Sequence, residues 1–291
     1  MELIVGKTAG FCFGVRNAVE KTYEELNKTS NLCCLGELVH NETIIEKLKN
    51  AGVSVYDNMD DIPDSSNVII RAHGEAPVVF EKAKQKNVNL INLTCPKVLK
   101  IHELAKDFAN NGYFVMLIAE RKHPETIGTI GYCGDNSCII ETLDELDYAI
   151  QNYKDSKLDK IAVIAQTTFS LSKFNEITDN LKQRVDCEID VRNTICNATA
   201  MRQAETEELS KEVDLMIVIG GKSSANTKRL YEISAKNCKN AILIQNKDDE
   251  DLKEILKNKY NKIGIMAGAS TPKENIDEVV EFIGGVYEYS K

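Results

Sequence analysis

An α/β fold built on mainly parallel sheets is what this sequence of 291 residues predicts, and three observations predict it. Short β-branched apolar runs alternate from end to end with helix-sized amphipathic segments. Most of the runs are continuous rather than alternating, the pattern of strands covered on both faces. No low-complexity linker interrupts the alternation.

Taken in order, strands are expected at 3–5, 32–35, 53–56, 68–70, 88–93 and 113–118, then at 138–140, 161–165, 188–191, 215–219, 241–244 and 263–266. Runs such as Phe-Val-Met-Leu-Ile, Ile-Ala-Val-Ile-Ala and Leu-Met-Ile-Val-Ile are too short for buried helices and rich in β-branched residues. The segments between them carry helical spacing, including one helix over 98–110 on which His102 is expected to be an exposed residue.

With 36 Lys+Arg against 45 Asp+Glu the net charge is −9, which argues against general nucleic-acid binding, because that needs a basic excess on the contact face. A chain that is 43% hydrophobic and 28% charged is neither disordered nor fibrous, and is long enough for two or three cores of roughly 100 residues each. No apolar run approaches the roughly 18–20 residues of a membrane helix, and MELIVGKTAG lacks the regions of a signal peptide, so the expectation is a cytoplasmic protein without a membrane partner. Nine cysteines, an odd number, suit a reducing compartment better than a disulfide framework.

Parallel sheets bind ligands at the carboxyl ends of their strands, and three such junctions carry a cysteine: Cys12 in GKTAGFCFGV, Cys95 in NLINLTCPKV and Cys196 in VRNTICNAT. The next polar junction follows at a constant distance of 28 residues, from 12 to His40, from 95 to His123 and from 196 to Ser224. A further junction follows in each segment, at His73, at Gln166-Thr167 and at Ser270. The chain therefore reads as three diverged copies of one layout, placed at 1–94, 95–195 and 196–291.

One thiol per copy brings three sulfurs around a pseudo-threefold axis, a donor set for an iron–sulfur cluster or a structural metal. Zinc knuckles use Cys-x-x-Cys pairs, which are absent here, so the wide spacing favours a cluster. Cys33, Cys34, Cys138, Cys187 and Cys238 read as structural thiols, and Cys133 in GYCGDNSC stays undecided between loop and core. His40, His73 and His123 lie beside turn residues at strand ends and suit a phosphate or diphosphate, together with the donor-rich turn Gly220 to Thr227. Neither a Walker loop nor a dinucleotide fingerprint is present. Glu125, two residues beyond His123, is the candidate proton-transfer group, since enclosure in a loop raises a carboxyl pKa.

These motifs resemble the 4-hydroxy-3-methylbut-2-enyl diphosphate reductase (LytB) family. The resemblance rests on GFCFGV, LVHN, RAHG, LTCP, KHPE, QTT, ATAMRQ, GKSSANT and AGASTP, which span residues 10 to 272. It implies three related α/β lobes in a trefoil around one [4Fe–4S] cluster per subunit, held by Cys12, Cys95 and Cys196. It also implies a diphosphate held by His40, His73, His123, Ser224, Asn226 and Ser270, with Thr167 near the substrate's alcohol end. Where the family commonly has a second serine this chain has Ala225, which leaves only a backbone N–H to donate.

The reaction implied is reductive dehydroxylation of (E)-4-hydroxy-3-methylbut-2-enyl diphosphate to isopentenyl and dimethylallyl diphosphate, the last step of the methylerythritol phosphate route. Glu125 supplies the proton and reduced ferredoxin or flavodoxin the electrons. Two other classes stay open from the residues: a phosphohydrolase with His40, His73, His123 and Glu125 as metal ligands, and a phospholigand-binding or redox-sensing protein without turnover.

Overall fold

The computed structural model describes residues 1–29 and 31–288. The first strand and helix are β1 (Glu2–Val5) and α1 (Phe13–Leu26). There follow β2 (Leu32–Leu35), α2 (Glu42–Asn50), β3 (Ser54–Tyr56), β4 (Asn67–Ile70), α3 (Pro77–Gln85), β5 (Asn89–Asn92) and α4 (Pro96–Asn110). The middle of the chain forms β6 (Phe114–Ile118), α5 (Pro124–Ile130), β7 (Ser137–Ile140), α6 (Leu146–Ser156), β8 (Lys160–Ala165), α7 (Leu171–Arg184), β9 (Glu188–Val191) and α8 (Asn197–Glu212). The last elements are β10 (Leu215–Ile219), α9 (Ala225–Asn237), β11 (Ala241–Ile244), α10 (Glu250–Ile255), β12 (Lys262–Ala267) and α11 (Lys273–Glu288). All twelve expected strands form, within a residue or two of their expected ends.

The strands make three four-stranded sheets, ordered β3-β2-β4-β5, β7-β6-β8-β9 and β11-β10-β12-β1. Every pairing is parallel. Each sheet has the same logic: a first strand inside the sheet, the second on its outer side, the third on its inner side, and at the far edge the strand whose following loop carries Cys95, Cys196 or Cys12.

This order corrects one expected boundary. The sequence reading groups residues 1–94 in one lobe, but β1 pairs with β12, Glu2 opposite Lys262 through Val5 opposite Ile265. The strand that leads into a Cys12, Cys95 or Cys196 loop closes a repeat and does not open one, so the repeats begin at β2, β6 and β10, and β1 is the fourth strand of the last repeat. The local sequence of β1 carries no mark of its partner, because parallel neighbours are joined only through long crossovers.

By density of contacts the chain divides into two units. One comprises Met1–Arg16, His40–Ile45 and Asn197–Lys291, the other Asn17–Val39 and Glu46–Cys196. The first unit contains the β10–β12 and β1 sheet. The second contains the other two sheets.

Within the second unit, β6 and β8 show why continuous apolar strands suit a two-faced sheet. Phe114, Met116 and Ile118 point to one side, where they pack with Leu146, Ala149 and Ile150 of α6 and Phe174, Ile177 and Leu181 of α7. Val115 and Leu117 point to the other side, against Ile101, Ala105 and Phe108 of α4. In the first unit Ile217, Ile219, Ile263 and Ile265 pack against Val279 and Ile283 of α11, while Met216 and Met266 face Leu209 of α8. Burying each such side chain stabilises the fold by roughly 1.5–3 kcal/mol, which fixes the strand ends where the site residues lie. Among the described residues no helix is long and apolar enough to cross a membrane.

Candidate active site

Each of the three cysteines ends a short loop between an edge strand and a helix, and each loop is anchored in the same way. Cys12 N–H donates to Ala269 O at 3.1 Å, Cys95 N–H to Ala72 O at 3.0 Å and Cys196 N–H to Thr167 O at 3.0 Å. The acceptor is always two residues past the third strand of the sheet: 267 to 269, 70 to 72 and 165 to 167. The three thiols are half-buried and stand immediately before α1, α4 and α8, so the expected equivalence of Cys12, Cys95 and Cys196 has a structural basis.

The constant spacing of 28 has one too. His40, His123 and Ser224 lie five residues past the first strands of their sheets, from 35 to 40, from 118 to 123 and from 219 to 224. Counting from the third strands places His73 and Ser270 three residues on, from 70 to 73 and from 267 to 270; the same step from 165 reaches Thr168, not Thr167. Thr167 instead matches Ala72 and Ala269, the carbonyls that hold the cysteines. The sequence expectation names Gln166-Thr167 as this junction, whereas the position matching His73 and Ser270 is Thr168. Counting from the strand end, which the sequence placed correctly, was the signal that finds it.

In the second unit, Pro124 opens α5 at a position where its missing N–H costs nothing, and His123 caps that helix. The imidazole Nδ1 accepts from Glu125 N–H at 3.1 Å, which leaves the proton of the neutral ring on Nε2 as a donor. Glu125 is 2% exposed. Thr167 grips its carboxylate twice, N–H to Oε1 at 2.6 Å and Oγ1–H to Oε2 at 2.5 Å. Burial pushes the Glu125 carboxyl up to about 7, against the opposing pull of the Thr167 hydroxyl and amide. A carboxyl with that property, held by two donors and beside a fixed imidazole, is a group able to deliver a proton near neutral pH.

Gln166, buried at the end of β8, orders the neighbouring hydroxyl. Its Oε1 accepts from Glu120 N–H at 2.9 Å and its Nε2 donates to Thr168 Oγ1 at 2.7 Å. Thr168 Oγ1 thus accepts within the protein and keeps its own proton to donate.

The His73 turn rests on a packed support. The ring of His73 meets that of His123 edge to face, 5.4 Å between centroids at 85°. Arg71 binds Glu75 across the turn, Nε to Oε1 at 3.0 Å and Nη2 to Oε1 at 2.9 Å. Gly74 has φ +76, and a Cβ there would approach His102 Cε1 to 2.6 Å. His102 is thus not the exposed residue expected. It is 4% exposed and stacked on Tyr132 at 4.3 Å, and burial holds it deprotonated with a pKa of about 4. A lone polar residue on a helix gives no sign of which face it takes, and here the loop over residues 72–76 covers it.

The first unit gathers the remaining candidates. Ser270 Oγ donates to His40 O at 3.0 Å, and Gly221 allows the same carbonyl close approach, since a Cβ there would lie 2.5 Å from it. Asn41 rather than His40 caps α2, accepting from Ile44 N–H at 3.2 Å. Ser224 caps α9, its Oγ accepting from Thr227 N–H at 3.3 Å, and Ala225 is the first helical residue. Asn226 is 3% exposed, and neither its Nδ2 nor its Oδ1 has a hydrogen-bond partner among the described residues. Leaving such an amide unsatisfied costs about 1–3 kcal/mol per group, and Nδ2, beside the N-terminus of α9, is a donor suited to an anion.

The other cysteines are packing groups. Cys33, Cys34 and Cys238 are buried, and Cys138 and Cys187 pack at the edge of the core of the second unit. Cys133, undecided from sequence, is 1% exposed, donates to Thr129 O at 3.5 Å and has its thiol pushed up to about 12 by burial.

The LytB protein family model matches residues 3–284. The 4-hydroxy-3-methylbut-2-enyl diphosphate reductase of Clostridioides difficile is 38% identical over 284 residues, covering 97% of this chain and 99% of that protein. The enzyme of the same name from Aquifex aeolicus is 37% identical over 292 residues, covering 99% and 98%. Among solved structures, the E-1-hydroxy-2-methyl-but-2-enyl-4-diphosphate reductase of Plasmodium falciparum superposes with a TM-score of 0.88 at 32% identity, over 96% of this chain and 87% of that one. A second structure, described as the terminal enzyme of the non-mevalonate pathway, gives 0.69 at 38% identity over 98% and 100%. Matched along nearly all of its length, with its cysteine, histidine and glutamate junctions at equivalent places in repeated sheets, this chain belongs to the LytB family.

Proposed function

We propose that this chain is a 4-hydroxy-3-methylbut-2-enyl diphosphate reductase: it converts (E)-4-hydroxy-3-methylbut-2-enyl diphosphate, two electrons and two protons to water and isopentenyl or dimethylallyl diphosphate, the last step of the methylerythritol phosphate route. Family membership supports the reaction. The observation that carries it is the buried Glu125 pair with Thr167, because loss of a hydroxyl as water needs a proton source that is still protonated near neutral pH.

Three thiols at equivalent strand-to-helix loops, without a fourth Cys at an equivalent loop, fit a [4Fe–4S] cluster with three protein ligands, one cluster per chain. Cys12, Cys95 and Cys196 hold it. When bound it supplies the electrons and a Lewis-acidic iron. Glu125 holds the proton at its carboxyl, and Thr167 Oγ1, hydrogen-bonded to Oε2, sits at the alcohol end of the substrate and passes the proton on. His123 orients Glu125 through its Nδ1 and presents Nε2–H. The diphosphate is bound by neutral donors: the imidazoles of His40, His73 and His123, Ser224, Asn226, the N–H of Ala225, and Ser270 once its hydroxyl turns from the His40 carbonyl. Thr168 joins them as the donor of the third repeat. Local donors and the N-terminus of α9 suit an anion on a chain of net charge −9, which has no broad basic field to offer. Electrons come from reduced ferredoxin or flavodoxin in the cytoplasm.

The test is anaerobic purification with iron and sulfide analysis, then assay with the hydroxymethylbutenyl diphosphate and a chemical reductant. Four iron and four sulfide per chain with formation of both products supports the reading. Zinc or manganese without sulfide, together with phosphate release, replaces it with a phosphohydrolase; a cluster without turnover replaces it with a sensor.

A further inference from the structure

The three cysteine loops differ in length. Between strand and helix, the Cys95 loop has three residues (93–95), the Cys196 loop five (192–196) and the Cys12 loop seven (6–12). A longer loop loses more conformational entropy when it is fixed. The Cys196 loop is tied to the end of β8 by Thr194, whose Oγ1 accepts from Ala165 N–H at 2.7 Å and donates to Ala165 O at 2.6 Å; the Cys12 loop is tied instead to a helix. Glu205, in the third turn of α8, accepts Lys7 N–H at Oε1 at 2.6 Å and Thr8 N–H at Oε2 at 2.9 Å, and Thr8 Oγ1 also donates to Oε2. One turn earlier, Arg202 donates from Nη2 to Gly10 O at 2.6 Å and from Nη1 to Ala198 O at 3.1 Å. Arg202 is 4% exposed.

The loop is shaped to be held this way. Gly10 has φ +98, and a Cβ at Gly6 would lie 2.1 Å from Met266 Sδ, so glycine at both positions lets the backbone lie close and turn its polar groups to α8. The residues six and nine after the other two cysteines are Ile101 and Leu104 on α4, and Ala18 and Lys21 on α1; neither pair offers a guanidinium and a carboxylate. The anchor belongs to α8 alone, the helix that starts at the residue after Cys196.

We infer that Glu205 and Arg202 are positioning residues for the Cys12 thiol: α8 grips the backbone of residues 7–10 and so holds the longest of the three ligand loops ready to take metal. The ligand role of Cys12 rests on the function proposed above; the preorganisation of the loop does not. Two donors from backbone and one from a hydroxyl converge on one carboxylate, and charge-assisted bonds of this kind are about twice as strong as neutral ones.

The experiment uses the full chain in apo and reconstituted forms. In the apo protein, the rate of iodoacetamide alkylation is read at Cys12, Cys95 and Cys196 by peptide mass spectrometry; in the reconstituted protein, iron loss to a chelator is followed by absorbance. Glu205→Ala is expected to raise alkylation at Cys12 about tenfold, with Cys95 unchanged, and to speed iron loss by a similar factor. Glu205→Gln, which keeps an acceptor, should recover part of both effects, and Thr8→Val should give a smaller rise at Cys12 alone. Arg202→Met should also act selectively on Cys12. An unchanged Cys12 rate in Glu205→Ala and Thr8→Val, or an equal rise at all three cysteines, overturns the proposal. If Glu205→Ala does not fold, the Gln and Thr8→Val variants decide it. Selective alkylation with iron binding that is indifferent to Cys12→Ser retains the clamp and removes the ligand assignment instead.

Discussion

The β6–β9 repeat and the repeat of β10–β12 with β1 share strand order, parallel pairing and the same strand-end junctions, yet they are loaded with different chemistry. The first carries His123, Glu125 and Thr167, a buried acid held by two donors and kept beside an imidazole. The other carries Ser224, Asn226 and Ser270, neutral groups without a titratable side chain among them. The scaffold fixes where His123, Ser224 and Ser270 stand, five or three residues beyond a strand end, and the residue type decides what chemistry that place can offer, a fixed imidazole beside a buried acid or a neutral hydroxyl. What the repeats have in common is the cysteine.

The largest expected effect tests that common feature. Cys12→Ser, Cys95→Ser and Cys196→Ser should each lose most of the iron and sulfide measured after anaerobic reconstitution, whereas Cys187→Ser and Cys133→Ala should retain them. A single cysteine among the three that proves dispensable breaks the equivalence of the repeats.

Glu125→Gln tests the acid station. It should lower kcat by about 10²–10⁴-fold with little change in KM, the loss typical of a removed general acid. The same variant has a stability signature. Folding lifts the Glu125 carboxyl from the ordinary 4.5 to about 7, so between those values the folded chain keeps a proton that the unfolded chain has released. Its contribution to stability therefore falls as pH rises through that window. Relative to Glu125→Gln, the wild type should lose about 3 kcal/mol of unfolding free energy between about pH 5 and pH 8, measured by denaturant titration. A parallel pH dependence in the two proteins removes Glu125 as a buried titrating group.

Asn226→Ala tests the neutral station with the opposite kinetic sign. Both polar atoms of Asn226 are buried without partners among the described residues. Their removal should leave thermal stability of the ligand-free chain unchanged or slightly higher, while weakening inhibition by inorganic pyrophosphate about tenfold or more and raising KM rather than lowering kcat. The smallest effect is expected of Thr168→Val, about a fivefold rise in KM at constant kcat, with Thr168→Ser restoring the wild-type value. A kcat loss in either variant merges the two stations into one role.

Legibility differed between these stations for physical reasons. The cysteines and histidines were found because strands and their carboxyl ends are local features, read from apolar runs bounded by turn residues. Thr168 was passed over because QTT offers two hydroxyls in succession, and only the count from the end of β8 shows that the second of them stands three residues on, as His73 and Ser270 do. His102 was misread because helical spacing alone does not reveal that the Gly74 turn closes over it.

By itself the sequence determined the twelve strands, the three cysteine junctions and the constant step to the next polar group, since each depends on hydrophobic period and spacing along the chain. Only the tertiary structure decided that β1 completes the sheet of β10–β12, because parallel pairing joins segments that share no local signal. It alone decided the chemistry of Glu125 as well: the sequence expectation puts this carboxyl in a loop, but it stands in the first turn of α5, where Thr167, some forty positions away, binds it and desolvation raises its pKa.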